Sequence, residues 1–243
     1  LVIFSHEELP RLVRLLGEGF REARIDDESG EAVAGGAVPL PLLGRMGDER
    51  GWRDFTFLCP IPGTVGAGVA MNAGAGGFDI SSIFRWADVM DAKGEVRRVN
   101  LEGAGFRYRS SAFKNKGDII LRAAFKTSLE PIDPAVAREI LMAEVERRIA
   151  AQPRIKRNCG SIFKNPQGGP PAGKLIEEAG LKGREIGGAR IAHEHANWIV
   201  NTGAATGGDL RELMALAQSE VKRLFGIDLE REVVLMPEDI GSP

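Results

Sequence analysis

Apolar and polar positions alternate along this chain with two different periods, and the switches between them outline its elements. Near the start, Leu9, Leu12, Val13 and Leu16 recur at helical spacing behind Ser5-His6-Glu7-Glu8, which has the form of a capping box. Pro10 inside that run counts against a regular helix. A short strand is predicted from Arg21 to Ile25, and a second over Glu31 to Ala37 that runs into a glycine turn. From Phe84 to Phe125 the period is two. Trp86 to Met90 and Val96 to Val99 flank Asp91-Ala92-Lys93-Gly94, a hairpin signal, and Ile119, Leu121, Ala123 and Phe125 alternate like a half-buried strand. Between them lies Gly105 to Ser111, where alternation puts Arg107 and Arg109 on one face and Phe106 and Tyr108 on the other.

The helical period then returns. Asp133-Pro134 is a helix start, with Leu141, Val145 and Ile149 every four residues and Glu144 placed to pair with Arg148. This helix, within residues 131–152, is read as the connection between a domain over 1–130 and another over 153–243. In the latter, a strand ends near Ser161, Ala172 to Ala179 forms a short helix stopped by Gly180, and Asn197 to Asn201 is a strand. Asp209 is the expected cap of a helix whose Leu210, Leu213, Met214, Ala217, Val221 and Leu224 form one face, with Gly226 as its stop. Ile227 to Met236 is the last strand, with Glu230, Glu232, Val234 and Met236 on one face. The elements describe an α+β protein.

Composition narrows the class. The 243 residues, 43% hydrophobic, suffice for one large domain or two small ones. A net charge of -2 offers no basic field for nucleic acid. No run of about 20 apolar residues predicts a membrane span, and no signal peptide is visible. Cys59 and Cys159 stand far apart without metal-ligand spacing, so free thiols in a reducing cytoplasm are expected. A monomer is expected.

Three stretches carry candidate chemistry. The first is Cys59 to Gly77, rich in glycine and alanine, where consecutive backbone N–H groups without obstructing side chains make an anion-binding concavity. A tight glycine-rich core crossing explains it equally well. The second is Asn158-Cys159-Gly160-Ser161-Ile162-Phe163-Lys164-Asn165-Pro166, which packs a hydroxyl, an ammonium and an amide into five residues on a loop opened by glycine and closed by proline. The third comprises Arg109, held where it can oppose developing negative charge, and Glu232, beside Val and Met. Surface charges on a strand are the plainer alternative for both. His193 and His195 share a strand face, but no third ligand is evident and no metal is expected.

The order of these stretches adds to them: a glycine-rich loop, Tyr108-Arg109-Ser110-Ser111, Gly160-Ser161-Ile162-Phe163-Lys164-Asn165-Pro166, and Leu229-Glu230-Arg231-Glu232-Val233. In this the chain resembles the UDP-N-acetylenolpyruvoylglucosamine reductase family, from about Glu31 to Met236. The resemblance implies a vanillyl-alcohol-oxidase-type FAD-binding domain followed by a smaller α/β substrate-binding domain. It implies NADPH as reductant, FAD as carrier and a UDP-sugar enolpyruvate as substrate. It makes Ser161 the proton donor and Arg109 and Glu232 the residues stabilising the enol-like intermediate. It places Lys164, Asn165 and His195 against substrate, and Ile61, Pro62, Gly63, Thr64, Val65, Gly66, Asn72, Ala73 and Gly74 against the flavin.

Two departures stand out. The family's Gly-Gly-Gly-Ser-Asn loop for the FAD pyrophosphate has no counterpart here, and the first residue is Leu1, so an N-terminal truncation with weak FAD binding is expected. Tyr108 is the only tyrosine and Ser111 to Pro153 leaves no room for a long insertion, which matches the branch without a tyrosine loop. The alternative is a truncated homologue without redox chemistry that binds a UDP-sugar or a protein partner; an unrelated flavin oxidase of the same fold family is disfavoured, because the resemblance puts the Ser161 motif in the second domain of the reductases.

Overall fold

The computed structural model describes the backbone of residues 2–4 and, in full, residues 15–114, 117–153, 155 and 157–236. The Ser5 capping box and most of the helix expected behind it lie outside the described residues. In chain order the elements are β1 (Val2–Phe4), β2 (Ala23–Asp26), β3 (Glu31–Gly35), α1 (Leu40–Asp48), α2 (Val65–Met71), β4 (Gly74–Ala75), β5 (Phe78–Asp79), α3 (Ile80–Ile83), β6 (Phe84–Met90), β7 (Val96–Asn100), α4 (Leu101–Ala104) and β8 (Ile119–Lys126). Then follow α5 (Pro134–Ala151), β9 (Asn158–Ser161), α6 (Ala172–Glu178), β10 (Glu185–Ile186), β11 (Ala189–Ile191), β12 (Trp198–Asn201), α7 (Gly207–Phe225) and β13 (Val234–Met236). The chain divides into two compact units, residues 13–148 and residues 1–12 with 149–243.

The unit of residues 13–148 is built on a five-stranded antiparallel sheet in the order β2-β3-β8-β6-β7. The β6–β7 hairpin turns where the sequence signals it. Asp91 Oδ1 accepts from the N–H groups of Lys93 and Glu95, and Gly94 takes φ 86°. The expected alternation in β8 breaks. Asp88 pairs with Arg122 but Val89 with Ile120, so Leu121 is the extra residue of a bulge. The bulge turns Ile120, not Leu121, into the core with Ala123 and Phe125.

One sheet face is covered by α1, α2 and α3, which bury Leu40, Leu43, Val65, Val69, Ile80 and Ile83 against Ala32, Ala34, Ala87 and Val89. The small strand side chains let the helices come close. A Cβ on Gly36 would stand 2.1 Å from the Ile120 carbonyl oxygen, and one on Gly66 would stand 3.1 Å from the Gly36 carbonyl. On the other face Asp88 is gripped by Arg98 (2.8 and 2.9 Å) and Arg122 (2.7 Å), with Arg98 stacked on Trp86. These contacts hold the Asp88 carboxyl below its usual range, the hydrogen bond from Arg98 being the main cause.

Helix α5 begins as its sequence predicts, with Asp133 Oδ1 accepting from Ala135 N–H. The expected Glu144–Arg148 pair is replaced by a two-point pair between Glu144 and Arg147 at 2.9 and 2.7 Å. Residues three apart and four apart both adjoin on a helix, and the arginine fork here matches the three-residue spacing. Within its own unit α5 is tied to α1 by Arg138 and the buried Asp48, at 2.7 Å.

The second unit carries the antiparallel sheet β10-β11-β12-β9, covered by α6 and α7, and a parallel pair of β1 with β13. The N-cap of α7 is Thr206 and not Asp209. Thr206 Oγ1 accepts from Asp209 N–H while Asp209 Oδ2 accepts from Thr206 N–H, a reciprocal box one turn long. Asp209 therefore sits at the third helical position, where its charge also meets the positive end of the helix dipole. Its expected face is buried at Leu213, Met214, Ala217 and Val221, while Leu224 is exposed. The last strand is much shorter than expected: only Val234–Met236 belongs to a regular ladder, and before it Phe163 and Arg231 form a single antiparallel pair.

Gly51 supplies a test of the first unit. It has φ 71°, its N–H bonds Asp48 O, its own carbonyl accepts from Ile132 N–H, and a Cβ there would lie 1.9 Å from the Ile132 carbonyl oxygen. Gly51→Ala is expected to lose about 2–4 kcal/mol by combining left-handed strain with backbone overpacking. Urea unfolding of the variant beside the parent measures this.

Candidate active site

In the first unit, the middle of the glycine-rich stretch, Val65–Met71, is helix α2, and of the two readings open for the stretch the tight core crossing is the one formed there. Val65 N–H donates to Val38 O at 2.8 Å, Gly66 N–H to Gly36 O at 2.9 Å and Gly68 N–H to Thr64 O at 2.8 Å. The anion-binding concavity is thus not formed by those amides. The first two fasten α2 to the turn that follows β3, because small residues allow an approach that puts those donors within reach of its carbonyls, and the third is the helix's own bond back to its N-cap. Val65 points into the core.

Other residues of the stretch do face open space. Gly63 has φ 119° and nothing within 4 Å of a Cβ built on it. Thr64 and Gly66 help wall a cavity of about 260 Å³ with Gly36, Ala67, Ala70 and Ile120. Pockets that enclose whole ligands run to about 300–1,000 Å³. This cavity, which Leu15, Asp118 and Ile119 also line, is smaller than that. A cavity of about 400 Å³ in the same unit lies between α5 and the stacked Phe57 and Phe78, with Gly76 on its floor and Arg53, Glu144 and Arg147 at its rim.

Asn72 has φ 44° and is 3% exposed. Its Nδ2 donates to Asp79 Oδ2 (3.0 Å) and to Arg107 O (3.1 Å), and its Oδ1 accepts from Ser81 N–H (3.0 Å). The side chain expected at the flavin is committed to joining α2, α3 and residue 107. Residues 107–110 form a tight turn, with Arg107 and Ser110 exchanging backbone hydrogen bonds and Arg109 at φ 53°. The expected strand, with Arg107 and Arg109 on one face, is not formed. The turn nevertheless brings together two stretches that were separate in sequence. Arg109 Nη2 donates to Gly74 O at 3.0 Å, and Ser111 Oγ donates to Ala70 O at 2.7 Å.

In the second unit, Ser161 ends β9 opposite Trp198, directly after Gly160 at φ 72°. The β9–β12 register shifts by one residue there, as a glycine bulge does. Ser161 is half-buried, and its hydroxyl makes no hydrogen bond among the described residues. Ile162 and Phe163 are buried next to it. Along the other edge runs the segment before β13. Glu232 N–H donates to Ile162 O at 2.7 Å and Lys164 N–H to Glu230 O at 2.9 Å. Ser161, Lys164 and Glu232 thus sit on adjacent antiparallel segments of one unit. Glu232 is half-buried, as is Arg231 before it, while Val233 after it is buried.

Glu230 forms an ion pair with Lys164, whose side chain is only 13% exposed, while its own is 72% exposed. Asn165 Oδ1 accepts from Ala172 N–H at 3.0 Å and so caps the start of α6. His193 and His195 do not share a strand face. They lie in the turn before β12, His193 against Gly183 and His195 against Gly173. His195 Nδ1 accepts from Asn197 N–H at 3.2 Å, and burial holds its pKa below the usual value. Among the described residues no group of His, Cys, Asp and Glu has the form of a metal site. Both cysteines are free, and burial pushes each thiol to about 11.

Asn197 is the residue that sequence reasoning missed. Its buried side chain grips the backbone of Phe163 from both sides, accepting from its N–H (2.9 Å) and donating to its carbonyl (2.8 Å). The only sequence signal is a polar residue at the head of an apolar strand.

Comparison with known proteins identifies the family. Residues 12–100 match the family model described as FAD binding domain, and residues 152–236 match UDP-N-acetylenolpyruvoylglucosamine reductase, C-terminal domain. A UDP-N-acetylenolpyruvoylglucosamine reductase 2 of Symbiobacterium thermophilum is 41% identical over 233 residues, covering 96% of this chain and 74% of that protein. A reductase of Heliobacterium modesticaldum is 38% identical, covering 93% and 71%. The crystal structure of the reductase from Thermus caldophilus superimposes with a TM-score of 0.76 at 34% identity, over 95% of this chain and 80% of that one. The α+β architecture, the two family models and relatives of this identity converge: the chain belongs to the UDP-N-acetylenolpyruvoylglucosamine reductase family.

Proposed function

We propose that the chain is a flavin-dependent oxidoreductase that reduces the enolpyruvyl group of UDP-N-acetylglucosamine enolpyruvate to UDP-N-acetylmuramate, with NADPH as reductant, in peptidoglycan precursor synthesis. The observation that carries the reading is the half-buried Ser161 hydroxyl, without a partner among the described residues, on a segment laced to the one that bears Glu232. The family match of residues 152–236 supports it. Free thiols at the half-buried Cys59 and the buried Cys159 suit a cytoplasmic enzyme. Among the described residues no helix is long and apolar enough to cross a membrane.

FAD, when bound, accepts electrons from NADPH and supplies hydride to the substrate. Gly63, Thr64 and Gly66, with Ile61, Pro62, Ala73 and Gly74 nearby, are the residues to hold its planar portion; Val65 and Asn72 support them from the core. Ser161 Oγ holds the proton that the substrate carbon takes up. A serine hydroxyl is a weak acid, so this transfer needs a strongly basic carbon and charged neighbours. Arg109 is assigned to oppose charge developing on the substrate, and Glu232 to the polar wall beside Ser161. Lys164, Asn165 and His195 are assigned to substrate. Lys164 meets an anionic substrate by exchanging its exposed Glu230 partner for it. Asn165 keeps its amide nitrogen for the substrate while its oxygen caps α6.

The reading is tested by supplying FAD, NADPH and the enolpyruvyl UDP-sugar and following UDP-N-acetylmuramate by mass spectrometry. NADPH consumption without that product defeats it. Ser161→Ala is expected to leave flavin reduction by NADPH intact and to slow reduction of the UDP-sugar by about 10²–10⁴-fold. Wild-type turnover in that variant removes the proton-donor assignment.

Glu232→Gln and Glu230→Gln separate the two acidic residues. Removing a preorganised group at the reacting centre costs about 10²–10³ in rate, which is the loss expected for Glu232→Gln. Glu230 pairs with Lys164 from the solvent side, and a pair with one solvated partner is worth about 1 kcal/mol or less, so Glu230→Gln is expected to change turnover by no more than about fivefold. Steady-state kinetics with melting temperatures alongside decides between them, and equal small losses place the working carboxylate elsewhere.

A further inference from the structure

The segment carrying Ser161 and Lys164 runs past the end of its partner strand. Ser161 pairs with Trp198, and Ile162 N–H still finds the Asn197 carbonyl at 2.9 Å. One residue later the partner strand is gone, because the chain before Trp198 turns away through residues 193–197. Phe163 is 2% exposed, so its backbone N–H and C=O would be buried without partners on that side. The Asn197 carboxamide takes both, at 2.9 and 2.8 Å. A carboxamide carries the same donor and acceptor as a peptide group, so this side chain extends the ladder by one residue where no strand exists.

The other edge of the same residues is bound by the segment before β13, through Glu232 N–H to Ile162 O and Lys164 N–H to Glu230 O. Phe163 also pairs there with Arg231. Asn197 is itself pinned, 3% exposed, with its N–H donated to His195 Nδ1.

We propose that Asn197 is a positioning residue of the active site: by closing the hydrogen bonds of Phe163 it sets where Ser161 and Lys164 stand relative to Glu232. The inference rests on the reading of Ser161 as proton donor. Misplacing a reacting group by about 1 Å costs about 10²-fold in rate, which sets the expected size of the effect.

The experiment uses the flavin-loaded protein in two phases, reduction by NADPH and then reaction with the enolpyruvyl UDP-sugar. Asn197→Ala is expected to leave the NADPH phase unchanged and to slow the UDP-sugar phase by about 10²-fold. It also speeds hydrogen exchange at the Phe163 amide, a readout independent of activity. Should Asn197→Ala not fold, Asn197→Asp serves. A protonated carboxyl keeps one donor and one acceptor, whereas the ionised form faces the Phe163 carbonyl with no proton. Burial favours the protonated form. Asn197→Asp should therefore react normally at low pH and lose the UDP-sugar phase as pH rises, an alkaline limb missing from the parent and from its own NADPH phase.

A folded Asn197→Ala with the parent's UDP-sugar rate overturns the proposal, as does an Asn197→Asp pH profile that overlays the parent's. If Ser161→Ala is slow while Asn197→Ala is normal, only the positioning role falls. If Ser161→Ala is normal, the proton-donor reading falls, and the positioning role falls with it unless Asn197→Ala still slows the same phase.

Discussion

The first unit depends on how closely α2 lies on its sheet. Gly36 and Gly66 meet backbone to backbone, and the sheet positions beneath are alanines. At that distance the first amides of α2 reach the carbonyls of Val38 and Gly36 in the turn after β3, which satisfies donors that a helix start otherwise leaves open. The same approach leaves a hollow of about 260 Å³ at Thr64, Ala67 and Ala70, closed on its other side by Asp118, Ile119 and Ile120. One constraint thus produces both the packing and the surface proposed for the flavin. The bulge at Leu121 belongs to it, because the displaced Leu121 carbonyl is the acceptor for Gly36 N–H.

The second unit solves a different problem, that of placing a hydroxyl and an ammonium beside a buried backbone. Ile162 and Phe163 anchor the segment in the core, while Ser161 and Lys164 stay at its margins. Burying two consecutive residues requires every amide and carbonyl between them to be bonded. Asn197 on one edge and residues 230–232 on the other meet that requirement. Ser161 and Lys164, proposed here to act on the substrate, therefore stand on a bonded strip and not on a free loop, which favours fixed geometry over adaptability.

Much of this was legible beforehand. Local signals located the 91–94 hairpin, the α5 start at Asp133-Pro134 and the stops at Gly180 and Gly226, since turn and cap chemistry acts over a few residues. The order of short motifs pointed to the family before any geometry was available. What failed was phase and partnership. The β8 bulge, the turn at Arg107–Ser110 and the replacement of Arg148 by Arg147 beside Glu144 all depend on what lies across from the residue, which periodicity along the chain does not encode.

By itself, the sequence determined which residue types stand at the candidate site, in what order, and where the chain must turn, because those properties are local. Tertiary structure alone decided how each side chain is used. It committed Asn72 to the core, gave Glu230 to Lys164, and drew Asn197 onto Phe163 from 34 positions away. The physical reason is that a buried polar group must be satisfied by whatever the fold brings within about 3 Å of it. That neighbour is set by packing, and packing is a property of the whole unit.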